Sequence, residues 1–416
     1  MDIEEHFFRH EFGRIVATLT RLFGVGNLAL AEDVTQDAFC RAMETWKLRG
    51  LPKNPSAWLM ATAKNRALDI LRRERTARMS EPALARFLES EWTLVPTVEE
   101  VFSAYAVKDS QLRMMFSCCH PRLSEEAQIA LVLHILCGFN VKEIAQAFVS
   151  SHAAIEKRIT RGKKILAEST KLFDLADADL PSRLSSVLQA LYLLFNEGYH
   201  GSSPEAAVRM ELCQEAIRLM NLLIEQPSLA IPQSYALAAL MYLNAARLPT
   251  RLDGSGNLVS FFEQDRSLWD HNLIAEGEAL LNLSASGAEL TKYHLEAAIA
   301  SMHTSAARTE DTDWKQIVSI YDMLMAIHPS PVIALNRAIA IAQLDGPERG
   351  LQEIRVIHDL HRLSSYPFYP AALGELELRR RNYPVAKAHF STALSLARNL
   401  MERNFLQRCI DTCKEN

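Results

Sequence analysis

Lys157, Arg158, Arg161, Lys163 and Lys164 fall within eight residues of one another. Side chains of this kind at this density suit a polyanion. Ammonium and guanidinium groups neutralise phosphates, and an arginine fork matches the acceptor pair on a guanine edge. A second basic set lies about ninety residues earlier: Lys64, Arg66, Arg72, Arg73, Arg75 and Arg78, opposed only by Asp69 and Glu74. Elsewhere the residues that could do chemistry do not assemble into a catalytic pattern. There is no nucleotide-binding glycine loop and no HExxH, so the reading is of a binding protein rather than an enzyme, with no cofactor and no metal. Glu310, Asp311 and Asp313 are better placed to favour a helix N-terminus than to hold a cation.

The elements that must present these cations are helices. Val141 to Phe148 opens with Asn140 as N-cap and Glu143 three residues on, a capping box. Val149 and Ser150 make a turn, and Ser151 caps the next helix. That helix directs Ile155, Ile159 and Leu166 inward and most of its cations outward, the arrangement of a helix-turn-helix that enters a major groove. By position, His152, Ala153, Glu156, Lys157 and Thr160 reach base edges. Arg161 is the candidate for a guanine, and Arg158, Lys163 and Lys164 for phosphates. Glu156 is a carboxylate able to accept from a cytosine amino group.

The first 78 residues predict three helices. Glu4 to Phe23 places Phe8, Phe12, Ile15, Leu19 and Leu22 on one side. Leu30 to Trp46 sets Val34, Ala38, Phe39 and Ala42 against a polar strip of Asp33, Gln36, Asp37 and Arg41. Ser56 caps a third helix, Ala57 to about Arg75, apolar at first and basic at its end. Trp58 in that helix fits a core position as well as a stacking platform, and Asn65 offers both a donor and an acceptor to a base edge. Residues 79–110 read as a linker, with prolines, an acidic run and weak periodicity. Residues 111–171 hold the helix-turn-helix.

From about 180 the pattern is helix after helix to the end, broken by a turn-rich loop at 248–268. One of these helices is expected over 348–361. Leu373-Gly374, Ala386, Phe390 and Ala393 match the small and aromatic positions of a tetratricopeptide unit. Ala338, Gly350, Ile354 and Ile357 form a weaker copy 36 residues upstream, near that repeat's period of ~34. Stacked helix pairs give a concave surface for a peptide or a small molecule, and the spacing alone leaves open which.

Charge divides the chain in the same place. Residues 1–171 hold 24 Lys and Arg against 21 Asp and Glu, whereas the remainder holds 21 against 29. The first part therefore carries the polyanion-binding character. Seven scattered cysteines with no metal-type spacing point to buried thiols in a reducing cytoplasm. A charged N-terminus and the lack of a long apolar run exclude a signal peptide and a membrane span.

Taken residue by residue, two basic helical units joined by a linker resemble the extracytoplasmic-function sigma factors of bacterial RNA polymerase. Ala31-Glu32-Asp33-Val34-Thr35-Gln36-Asp37-Ala38-Phe39 is similar to the AEDxxQDxF motif of sigma region two. Ala57-Trp58-Leu59, then Ala63, Asn65, Ala67, Asp69, Leu71, Arg72 and Arg73, resembles its promoter-reading helix, and 124–166 resembles region four. The later half resembles the tetratricopeptide-like extension of one subgroup. Its signposts here are Phe116-Ser-Cys-Cys-His-Pro121, Leu194-Phe-Asn-Glu-Gly-Tyr199, Trp269-Asp270, Glu310-Asp-Thr-Asp-Trp314 and Leu335-Asn-Arg-Ala338.

The resemblance implies an all-α fold and two partners, core RNA polymerase and promoter DNA. It assigns Asp33, Gln36, Asp37, Phe39 and Arg41 to the polymerase. Trp58, Asn65, Arg66, Asp69, Arg72, Arg73 and Arg75 fall to the minus-ten element, and Glu156 to Lys164 to the minus-thirty-five element. It also implies that residues 180–416 regulate the front end in cis. The competing expectation is a ligand-sensing helix-turn-helix regulator that needs no polymerase. It leaves the Asp33–Arg41 strip and the basic end of the third helix without a role.

Overall fold

The computed structural model describes residues 5–76, 104–147, 150–168, 180–201 and 208–413; the side chains at 5–6, 74–76, 104–107, 109, 146 and 147 are not among the described groups. The described residues form helices and turns, and their only β-type pairing is a single bridge between Leu252 and Leu258. The all-α expectation holds. The chain divides into two compact units, Met1–Leu194 and Phe195–Asn416.

The first unit is built from α1 (Glu5–Phe23), α2 (Leu28–Arg49), α3 (Pro55–Thr76), α4 (Ala104–Cys118), α5 (Glu125–Leu131), α6 (Val141–Ala147) and α7 (His152–Glu168). α1 is the hub. Ile15, Val16 and Leu19 are fully buried, and the helix packs on α2, α3, α4 and the wide turn Val132–Leu136 that continues α5. Gly13 makes the last contact possible. A Cβ there would stand 2.0 Å from the Leu136 carbonyl oxygen, closer than any real contact.

Two expectations change at helix starts. α3 is capped by Asn54, whose Oδ1 accepts from Ala57 N at 3.0 Å, and not by Ser56. The cause is Pro55: it has no N–H to satisfy and its fixed φ suits the first helical position, so the cap lies one residue before it. α4 begins at Ala104, inside the span expected to be linker. Residues 79–103 of that span lie outside the described residues.

α8 (Leu184–Tyr199) carries the chain into the second unit, followed by α9 (Met210–Ile224), α10 (Pro232–Ala245), α11 (His271–Ser284), α12 (Lys292–Ser305), α13 (Trp314–Ile327), α14 (Pro331–Leu344), α15 (Pro347–Arg355), α16 (Phe368–Arg379), α17 (Tyr383–Leu396) and α18 (Leu400–Thr412). From α9 onward most consecutive helices pack on one another, and α10 and α14 also reach the second helix after them. That is the near-neighbour pattern of a helical repeat. The tetratricopeptide-like positions do what their sizes demand. A Cβ on Gly374 would lie 2.8 Å from the Phe390 ring, so the glycine admits the aromatic between α16 and α17. In the upstream copy Ala338, Leu351 and Ile354 are buried together. The helix expected over 348–361 ends at Arg355, and Asp359 takes a left-handed conformation (φ 56°) before a short 3-10 turn at Leu360–Leu363.

Candidate nucleic-acid interface

α6 and α7 are folded by local chemistry that the residues declare. Asn140 N donates to Glu143 Oε2 at 2.8 Å and Glu143 N to Asn140 Oδ1 at 3.0 Å, closing the capping box. Ala154 N donates to Ser151 Oγ at 3.2 Å at the head of α7. Phe148, the expected end of the first helix, and Val149, expected in the turn, lie outside the described residues. Ile155, Ile159, Gly162, Ile165 and Leu166 are buried. The opposite face is open: Ala153, Glu156, Lys157, Thr160, Arg161 and Lys164 line one solvent-facing depression.

Two cations of the expected set stand apart from that face. Arg158 is turned to the flank, with Nη2 3.2 Å from Glu126. Lys163 points inward, where Nζ lies 2.6 Å from Glu32 Oε2 and 3.1 Å from His134 Nε2. His134 Nδ1 lies 2.9 Å from the Phe139 carbonyl. Burial, and then the Lys163 ammonium, push this imidazole below its usual value. The neutral ring therefore donates from Nδ1 and accepts from Lys163 at Nε2. Glu32 and Lys163 join α2 to α7, and Arg9 of α1 joins α6 through Glu143 while stacking on Phe139 at 4.5 Å. Lys163 is thus held by an internal partner, and the cations of the set that stand exposed are Lys157, Arg161 and Lys164.

α2 separates its faces cleanly. Ala31, Val34, Ala38, Ala42 and Trp46 are buried, and Asp33, Gln36, Asp37 and Arg41 are exposed. Phe39 belongs to neither side alone. It is half-buried, edge-on to Phe8 with ring centroids 5.0 Å apart and tilted against Phe12 at 6.3 Å. Sequence reasoning passed over Met43 and Leu48, which are 57% and 86% exposed at the far end of the same helix. Their signal was present: both are apolar yet out of phase with the buried stripe.

α3 carries the second basic set. Asn65, Asp69, Arg72 and Arg73 are exposed, with Asp69 and Arg72 4.0 Å apart. Arg66 Nε donates to Asp37 Oδ2 at 3.3 Å and so ties the polar strip of α2 to α3. Trp58 is half-buried, edge-on to the buried Trp46 at 5.4 Å. One part of the indole is core and another is open. The side chain of Arg75, like the whole of Arg78, lies outside the described residues.

The cysteines of the Phe116–Pro121 signpost are inert by environment. Cys118 and Cys119 are buried, and burial pushes the Cys119 thiol up to about 12. Among the described residues no group of three His, Cys, Asp or Glu side chains is placed to hold a metal. Asp313 caps α13 by accepting from Gln316 N at 2.9 Å. No described helix is long and apolar enough to cross a membrane.

A three-helix unit with an exposed acidic strip beside a basic helix, followed by a helix-turn-helix, defines a sigma-type transcription factor. Comparison with known families agrees. The model for Sigma-70 region 2 matches residues 7–77, that for Sigma-70 region 4 matches 113–166, and a family of unknown function, DUF6596, matches 183–285. An uncharacterized protein of Rhizobium meliloti (strain 1021) is 36% identical over 388 residues, covering 92% of this chain and 90% of its own length. No solved structure matches the chain. The chain belongs to the extracytoplasmic-function sigma factors that carry a C-terminal helical extension.

Proposed function

We infer that this sigma factor binds core RNA polymerase through the α2 strip, reads promoter DNA through α3 and α7, and is regulated in cis by its second unit. The observation that carries the reading is the split of α2. Asp33, Gln36, Asp37 and Arg41 stand open opposite a fully buried stripe, and Asp37 is tied to Arg66 at the edge of the basic helix. A charged strip of this kind, followed by exposed Met43 and Leu48, suits docking on another protein's helix. A regulator acting on duplex DNA alone has no use for it.

On α3, Asn65 is open for a base edge and Arg72 and Arg73 for phosphates, with Asp69 and the open part of Trp58 beside them; Arg75 joins them by its position. On α7, Glu156, Thr160 and Arg161 face base edges, while Lys157 and Lys164 face phosphates. Arg158 and Lys163 contribute through packing. The second unit acts on these surfaces in response to a small ligand.

Co-migration of the purified chain with core polymerase at low ionic strength tests the docking. The doubly reversed variant Asp33→Lys, Asp37→Lys is expected to lose it. Retained binding by that variant would move the docking surface elsewhere. A chain ending after Lys171 tests the regulation, since promoter output equal to that of the full chain would remove it.

A further inference from the structure

The second unit holds a half-open cavity of about 360 Å³ that promoter reading does not use. Its walls come from the end of α8, the residues after α10, the 248–268 loop, the start of α16 and the start of α18. Two of the sequence signposts lead there: Tyr199 of the Leu194–Tyr199 stretch lines it, and Trp269 backs one of its arginines.

Three guanidinium groups reach this space, each laid on a ring. Arg247 stands 4.3 Å from the Phe261 centroid, Arg251 4.2 Å from Tyr199 and Arg398 5.7 Å from Phe368. Arg398 has a carboxylate partner, Glu402, at 2.9 Å. Arg247 and Arg251 pair with no carboxylate among the described residues. The Nε of each is buried without a hydrogen-bond partner, as is the Tyr199 hydroxyl. Gln264, 3.5 Å from Arg247, supplies a dipole and no charge. His200 lines the same space. With Arg247, Arg251 and Arg398 also on its walls, the cavity gathers positive charge around one point.

Withdrawing cations from water without counter-charge is costly, and the arrangement is satisfied when an anion completes it. Stacking on a ring fixes the plane of a guanidinium and leaves its N–H edge aimed outward, the geometry that takes an oxyanion in two parallel hydrogen bonds. The volume is at the small end of ligand pockets. Phe261, Phe368 and Phe405 give it an apolar wall beside the charge.

The geometry points to a binding site for a small organic oxyanion, a carboxylate or phosphate on a flat apolar body, held by Arg247 and Arg251. Such a ligand is the signal that the cis-regulatory reading requires. The claim of binding stands apart from that reading, because it is measured without polymerase or promoter.

Calorimetric titration of the full chain with phenyl phosphate, benzoate, inorganic phosphate and neutral benzyl alcohol tests it. Saturable binding of phenyl phosphate or benzoate is expected, with none for the alcohol. Which of the two aryl anions binds more tightly separates a phosphate from a carboxylate ligand. Arg251→Gln is expected to weaken binding roughly tenfold or more. Arg380→Gln, at a surface ion pair outside the cavity, leaves it unchanged. Should Arg251→Gln fail to fold, Arg251→Lys keeps the charge and loses the fork, and weaker binding is again expected. Absence of saturable binding by both aryl anions overturns the proposal. So does undiminished binding by every folded Arg251 variant.

Discussion

Lys157, Arg161 and Lys164 on α7 carry the same charge as Arg247 and Arg251 in the second unit, under opposite conditions. The first three stand in water on one face of a helix. The other two lie against aromatic rings with their Nε atoms withdrawn from solvent. Exposed cations cost little to keep and bind by displacing counterions from a long polyanion, with a steep dependence on salt. Enclosed cations are costly to keep alone and favour one small, shaped anion over a polymer. Burial, more than residue type, decides which anion a basic cluster takes.

The largest effect is expected from removing the exposed set. The triple variant Lys157→Ala, Arg161→Ala, Lys164→Ala should weaken binding to a minus-thirty-five duplex by about two orders of magnitude. Its slope of log affinity against log salt should flatten by about 2, for the two lysines assigned to phosphates. An unchanged slope would mean that α7 does not face the phosphates.

Next is packing. Gly13→Ala drives a Cβ into the Leu136 carbonyl and should cost the first unit about 1–3 kcal/mol. In a melt that resolves both units, the second should be unmoved. A shared loss would show that the two do not melt independently.

The pH response should belong to the second unit. Burial, and then Arg247 and Arg266, push His303 down to about 3. Unfolded histidine takes up a proton near 6.5, so the unfolded chain binds more protons between the two values. The stability contributed by neutral His303 is complete above pH 6.5 and is lost as pH falls toward 3, about 2 kcal/mol of it by pH 5. His303→Gln should flatten the acid limb of the second unit's melting curve, and an unflattened limb would assign the proton uptake elsewhere.

The smallest effect is expected at Arg158, whose partner Glu126 lies in solvent. Arg158→Ala should change duplex affinity by less than about 1 kcal/mol. A loss as large as that of the triple variant would return this residue to the DNA face.

Much of this architecture was legible where the deciding interactions are local. The capping box at Asn140 and Glu143, the cap at Ser151 and the two faces of α2 depend on residues three or four apart. What was not legible depends on partners distant in the chain. Lys163 and Lys164 are adjacent and identical in type, and a rotation of about 100° between successive helical residues sends one to Glu32 and the other to solvent. Nothing near Lys163 announces Glu32, 131 residues away. Arg247, Arg251 and Arg398 have no common spacing, and only the closure of the helical array brings them to one cavity. The break before Asp359 carries no glycine or proline to mark it. The cap at Asn54 was readable from Pro55 and was missed because Ser56 offered a hydroxyl.

Run-off transcription with core RNA polymerase on a library of promoter fragments tests the central claim most directly. Addition of the full chain is expected to produce discrete start sites preceded by a common pair of elements, and the Asp33→Lys, Asp37→Lys variant should produce none. Start sites unchanged from those of core enzyme alone, with no association between chain and enzyme, would contradict the assignment of α2 to the polymerase.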